Sequence, residues 1–184
     1  MNGVPRPPIN SIYSFIDERP GLLIGDAFYF GLDGGQRILR YDFVRRGLSV
    51  IDAPDVYQQP DGIVVTAKDN QLGFASLKDG SLCLWMWQAG ADGNVGWRQD
   101  VVIKIKTLLP TLEPSTSLDL SGFVEGTDTI IISTYVGVFA IMLNSREVRK
   151  LDDTRPCHTI VPYMSFYTPG SRVEPSICLC CDLF

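Results

Sequence analysis

Histidine is nearly missing from this chain: His158 is the single copy in 184 residues. Chemistry that leans on several imidazoles, such as a multi-histidine metal centre, is thereby excluded. Positive charge is also scarce, with 16 Lys and Arg against 21 Asp and Glu and a formal charge of −5. Phosphate binding needs clustered cations, so the composition predicts no nucleic-acid partner. No apolar run approaches the ~20 residues of a membrane-spanning helix, and no membrane partner is expected. Residues 1–8, with Pro5, Pro7 and Pro8, lack the apolar stretch of a secretory leader. Five cysteines, an odd number with three crowded at the C-terminus, make a poor disulfide framework. These absences predict an intracellular, reducing location, in the cytoplasm or nucleus. Clean helical periodicity is missing too, and its absence over any longer segment argues against a helical fold.

What is present is a repeat. Apolar residues make up 45% of the chain and charged residues 20%, enough for a globular core. Ile38-Leu39-Arg40-Tyr41-Asp42, a charged turn, then Leu48-Ser49-Val50-Ile51-Asp52 reads as strand, reversal, strand. The same pattern recurs 100 positions later in Val138-Phe139-Ala140-Ile141, a turn, and Val148-Arg149-Lys150-Leu151-Asp152. A looser copy, Leu82-Cys83-Leu84-Trp85 with Val101-Val102-Ile103, lies between them. A pitch of about 50 residues is in the range of kelch-like propeller blades. Turn signals at Asp33-Gly34-Gly35, Asp69-Asn70, Asp79-Gly80 and 91–94 punctuate short strands. The fold class predicted is all-β: antiparallel meander blades in a partial kelch-like, propeller-like array of about three blades.

The plan along the chain follows from these signals. Residues 1–20 form a Pro-rich extended arm. Residues 21–169 form the β-repeat domain, with units at 21–52, 63–105 and 120–152, and residues 170–184 form a Cys-rich disordered tail. Pro110 and Pro114 mark an inter-blade loop with one helical turn over 106–117, and 158–166 starts a fourth unit. Phe30, Leu39, Tyr41, Phe74, Trp85, Ile103, Ile131, Phe139 and Ile141 are expected to be largely buried between sheets. Three open units leave a first and a last sheet with unpaired faces, so self-association or partner binding is expected there.

Candidate chemistry is sparse. Cys157 beside His158 invites a metal or dyad reading, but neither further ligands nor an orienting partner can be read, which favours a structural or surface role. Cys178, Cys180 and Cys181 are too compact for a standard zinc spacing, and acylation would need a membrane-adjacent context. Asp42, Asp52 and Asp152 recur at strand ends, as turn-forming side chains do. Trp85 and Trp87 lie two apart on one strand and share a face, so with Trp97 they read as packing residues more readily than as a ligand pocket. The glycines of 31–35 precede a strand and not a helix, so they form no phosphate cradle. Arg45 and Arg46 read as a solvated face. No catalytic, metal or cofactor site is expected, and the residues alone point to a β-repeat binding module.

Several of these segments resemble the C-terminal associated domain of plant F-box proteins of the large grass-type group. The stretches that carry the resemblance are Phe30-Gly31-Leu32-Asp33-Gly34-Gly35, Ile38-Leu39-Arg40-Tyr41-Asp42, Leu48-Ser49-Val50-Ile51-Asp52-Ala53-Pro54-Asp55-Val56-Tyr57 and Gly73-Phe74-Ala75. Leu82-Cys83-Leu84-Trp85, Gly90-Ala91-Asp92-Gly93, Thr107-Leu108-Leu109-Pro110, Ser133-Thr134-Tyr135-Val136-Gly137-Val138-Phe139 and Pro162-Tyr163-Met164-Ser165-Phe166-Tyr167-Thr168-Pro169 continue it over most of 21–169. They are specific as a set and weak singly. The resemblance implies a non-catalytic substrate receptor of a ubiquitin ligase, joined to a Skp-type adaptor and a cullin through a separate helical F-box. Residues 1–19 are too short and too Pro-rich for that module, so the chain is expected to bind a target protein without itself recruiting the adaptor. The other class of function considered is a small-ligand binder or enzyme on a propeller-like scaffold.

Overall fold

In the computed structural model of this chain the described residues are 14–54, 62–90, 93–109, 116–152, 160–164 and 177–181. Strands β1 (Leu22–Ile24), β2 (Ala27–Leu32), β3 (Arg37–Asp42) and β4 (Gly47–Asp52) pair in sequence order as a first antiparallel sheet. A second sheet follows with β5 (Gly62–Ala67), β6 (Gln71–Lys78), β7 (Ser81–Ala89) and β8 (Val95–Lys104). A single helical turn, α1 (Ile105–Leu108), leads towards the third, made of β9 (Asp119–Val124), β10 (Thr129–Thr134), β11 (Gly137–Met142) and β12 (Val148–Asp152). A last antiparallel pair joins β13 (Ile160–Met164) to β14 (Ile177–Cys181). The first strands of successive sheets approach one another, β1 to β5, β5 to β9 and β9 to β13. This is an all-β, propeller-like array of three four-stranded blades, and none of the described sheets closes on itself.

Turn chemistry explains the meanders. Asp79 and Gly80 sit at φ 50° and 70°, the left-handed pair that a two-residue hairpin requires. Asp69 and Asn70 take φ 56° and 55° between β5 and β6, a conformation that short polar side chains tolerate. At the β3–β4 turn the buried Asp42 carboxylate accepts the Arg45 N–H at 2.8 Å and the guanidiniums of Arg40 at 2.8 Å and Arg45 at 3.1 Å. The turn-forming role expected of this aspartate is therefore what the hydrogen bonds show.

Those bonds, the Arg45 backbone N–H first, hold Asp42 below the ordinary aspartate value. A depressed folded-state value means the contribution is present at neutral pH and is lost as pH falls through it. Asp42→Asn should thus destabilise the protein at pH 7, with the gap to wild type narrowing as pH falls below about 4. Denaturation midpoints measured from pH 7 to 3 check this; a gap independent of pH would refute the charge-based account.

One core runs through all three large sheets and includes Leu22, Ile38, Phe74, Leu82, Ile103, Ile130, Ile132, Phe139 and Ile141. The third sheet is its best-covered part, since every residue of β10 is buried. Ile130 and Ile132 face the main core, while Ile131 turns the other way into a smaller cluster with Val124 and Val138. Covered on both faces, β10 carries the uninterrupted run Ile130-Ile131-Ile132 in place of an alternating pattern.

The expected core is confirmed at Phe74, Ile103, Ile131, Phe139 and Ile141 and corrected at four positions. Phe30, Leu39 and Tyr41 are only half-buried, because they lie on the outward face of the first sheet, against which no other described sheet packs. Trp85 is half-buried because it lines a cleft. The disorder expected over 170–184 is corrected at 177–181, the part of it that is described. Ile177–Cys181 is strand-length and apolar, and it pairs with β13 in full register from Met164↔Ile177 to Ile160↔Cys181. The N-terminal arm is docked where it is described: the Asp17 N–H donates to the Gly31 carbonyl and the Asp33 N–H to the Phe15 carbonyl.

Candidate functional site

The residues singled out by their chemistry are dispersed. Cys157 and His158 lie outside the described residues, and so do the side chains of Asp152 and of Cys178, Cys180 and Cys181. Among the described residues no three His, Cys, Asp or Glu side chains group as metal ligands do, and no helix is long and apolar enough to cross a membrane. Trp97 packs edge-on to Trp87 at 5.0 Å and its indole N–H donates to the Asp52 carbonyl at 2.8 Å, tying the second sheet to the first. Burial pushes the Cys83 thiol up, so it stays protonated at neutral pH and inert. Gly31 faces Asp17, whose carboxylate accepts the Gly34 N–H at 2.8 Å. That position is therefore occupied by the chain's own anion.

Two features remain. The first is the outward face of the first sheet. Strand register places Leu23, Phe28, Tyr41 and Leu48 in one row and Phe30, Leu39 and Val50 in the next. Phe43 closes the patch, with its ring 4.8 Å from Phe28 and 5.6 Å from Tyr41. Leu48 is 68% exposed, Val50 51% and the neighbouring Val44 75%. The opposite face of the same strands is buried at Ala27 and Ile38, so both faces of this sheet carry apolar residues, and among the described residues no other sheet covers the outward one.

The second is a cleft of about 520 Å³ between the second and third sheets. It lies where the β5–β6 turn meets the β9–β10 and β11–β12 turns, with Val65, Leu84, Val101 and Leu143 as apolar walls. A bulge shapes one side. Leu84 pairs with Val101 and Trp85 with Gln99, which leaves Asp100 as an extra residue in β8. Bulges re-aim side chains, and Asp100 lines the cleft and meets the Lys68 ammonium at 3.4 Å. On the other side Arg146 occupies a tight turn at φ 64°, its N–H donating to the Met142 carbonyl at 2.9 Å. Arg146 Nη1 and Trp85 Nε1 are both buried beside the cleft, and neither finds a hydrogen-bond partner among the described residues. Sequence reasoning weighed a ligand pocket for Trp85 but favoured packing, and it missed Arg146, whose role depends on a turn that brings it beside strands more than 40 positions away.

No family model matches the chain, and no curated protein does. Among solved structures the chain is similar to the extracellular domain of the putative one component system BT4673 from B. thetaiotaomicron, with a TM-score of 0.42 and 12% identity. That likeness covers 80% of this chain, which spans 18% of the other's length.

Proposed function

We propose that this chain is a non-catalytic protein-binding module that engages its target through the outward face of the first sheet. The observation that carries the reading is the uncovered apolar face built by Phe28, Phe30, Leu39, Tyr41, Leu48 and Val50. Contiguous exposed apolar surface of this kind marks protein interaction sites, and its aromatic content suits the centre of an interface. The resemblance to grass-type F-box proteins supplies the biological setting: an intracellular substrate-recognition domain of a ubiquitin ligase. Its target is unknown, and the adaptor and cullin are reached through a separate F-box.

A photo-crosslinking residue at Val44, beside the face, tests the reading in the native cell. A discrete protein adduct is expected from Val44 and not from Tyr135, an exposed turn residue of the third sheet. Equal labelling from both positions would count against the face. Leu48→Glu with Val50→Lys is expected to abolish that adduct. Both side chains are solvent-exposed, so stability should change by less than about 1 kcal/mol, and a denaturation curve run in parallel checks this. A second reading, as a small-ligand binder, is favoured by the cleft.

A further inference from the structure

We propose that the cleft between the second and third sheets binds a small apolar molecule bearing one carboxylate, which Arg146 and Trp85 orient. This site shares Leu23 with the edge of the outward face of the first sheet, but its polar groups lie elsewhere, and it stands whether or not that face binds a protein. Its volume of about 520 Å³ falls within the range of small-molecule sites.

The ligand class follows from what the lining leaves unmatched. Asp100 is balanced by Lys68 at 3.4 Å. Asp128 uses one carboxylate oxygen to accept the Asn144 N–H at 2.9 Å, and Glu125 stands exposed at the rim. The unmatched polar atoms are both donors, Arg146 Nη1 and Trp85 Nε1. Buried donors are costly to leave unsatisfied, and those of a charged group more so. A group that accepts from both and carries one negative charge resolves the mismatch, and a carboxylate fits the planar arginine fork. A phosphate dianion suits the lining less well, since Arg146 is the one lining cation outside an ion pair among the described residues and three carboxylates stand nearby. Val65, Leu84, Val101 and Leu143 then receive the apolar body. Because both nitrogens are shielded as they stand, binding involves a small adjustment of the two side chains rather than entry into a rigid slot.

Calorimetry or ligand-detected NMR on the full chain, with 4-methylpentanoate and its neutral amide as probes, tests the proposal. Saturable binding of the acid is expected, with the amide at least about tenfold weaker, as loss of a charge-assisted contact implies. Arg146→Gln should weaken the acid by at least about tenfold, while Arg98→Gln, outside the cleft, should leave it unchanged. Val101→Phe fills the cleft from β8 and should abolish binding even if Arg146→Gln fails to fold. No saturable binding of the acid, equal affinity for acid and amide, or full binding by a folded Arg146→Gln protein would each overturn the proposal.

Discussion

Ile132→Ala is expected to remove about 2–5 kcal/mol of stability, the cost typical of a buried isoleucine cut back to alanine. Ile132 is 0% exposed and sits on β10, every residue of which is buried. Its neighbours leave little room for collapse. It pairs with Phe139 on β11 and with Leu120 on β9, where a bulge at Ser121 already interrupts the register. The Ser121 hydroxyl in turn bonds that of Ser133 at 2.6 Å, so this part of β9 is fixed by its own polar contact and cannot slide into a cavity. Total stability of a domain is about 5–15 kcal/mol, so the loss would be a large fraction of the whole. Leu48→Ala, on the exposed edge strand, serves as the contrast and should shift stability by less than about 1 kcal/mol. Urea denaturation compares the two; a loss below about 1 kcal/mol for Ile132→Ala would mean that the third sheet is not the centre of the core.

The meanders were legible because their signals are local. Asp79-Gly80 and Asp33-Gly34-Gly35 state in two or three letters where a chain must reverse, and the structure uses left-handed backbone at each. Which face a sheet buries is not local. Period-2 alternation puts Phe28, Phe30, Leu39 and Tyr41 on one side and Ala27 and Ile38 on the other, and both sides are apolar enough for a core. Only the packing of the second sheet against one of them decides, so Phe30, Leu39 and Tyr41 read as core and proved half-buried. The cleft was hidden for a related reason. Asp100 reaches it through a one-residue bulge, which no composition pattern announces. Arg146 reads as an ordinary charged turn residue until the third sheet sets its turn beside β5 and β7. Ile177-Cys178-Leu179-Cys180-Cys181 was obscured by its chemistry, because the interest of three thiols outweighed a plain strand-length apolar run.

Gly35→Ala should cost about 2–5 kcal/mol, and most of that cost should come from separating two sheets rather than from the turn itself. Gly35 has φ +84°, a backbone that L side chains rarely adopt, which alone costs about 1–2 kcal/mol. A Cβ there would also overlap the Gly62 carbonyl oxygen and come within 2.9 Å of the Gly62 nitrogen. These are backbone atoms at the start of β5 and cannot swing aside, so the β2–β3 turn would have to lift off the second sheet, an overpacking penalty of about 1–3 kcal/mol. Gly62 itself is pressed against the Phe74 ring, so movement there reaches the core directly. Gly25→Ala isolates the backbone share: Gly25 has φ +58° but nothing within 4 Å of its Cβ position. It should therefore lose only the about 1–2 kcal/mol of conformational strain. The difference between the two variants in urea denaturation measures how tightly the first and second sheets are joined. If the two substitutions cost the same, the close approach of Gly35 to Gly62 contributes nothing, and the first sheet is attached by its apolar side chains and the Trp97–Asp52 hydrogen bond.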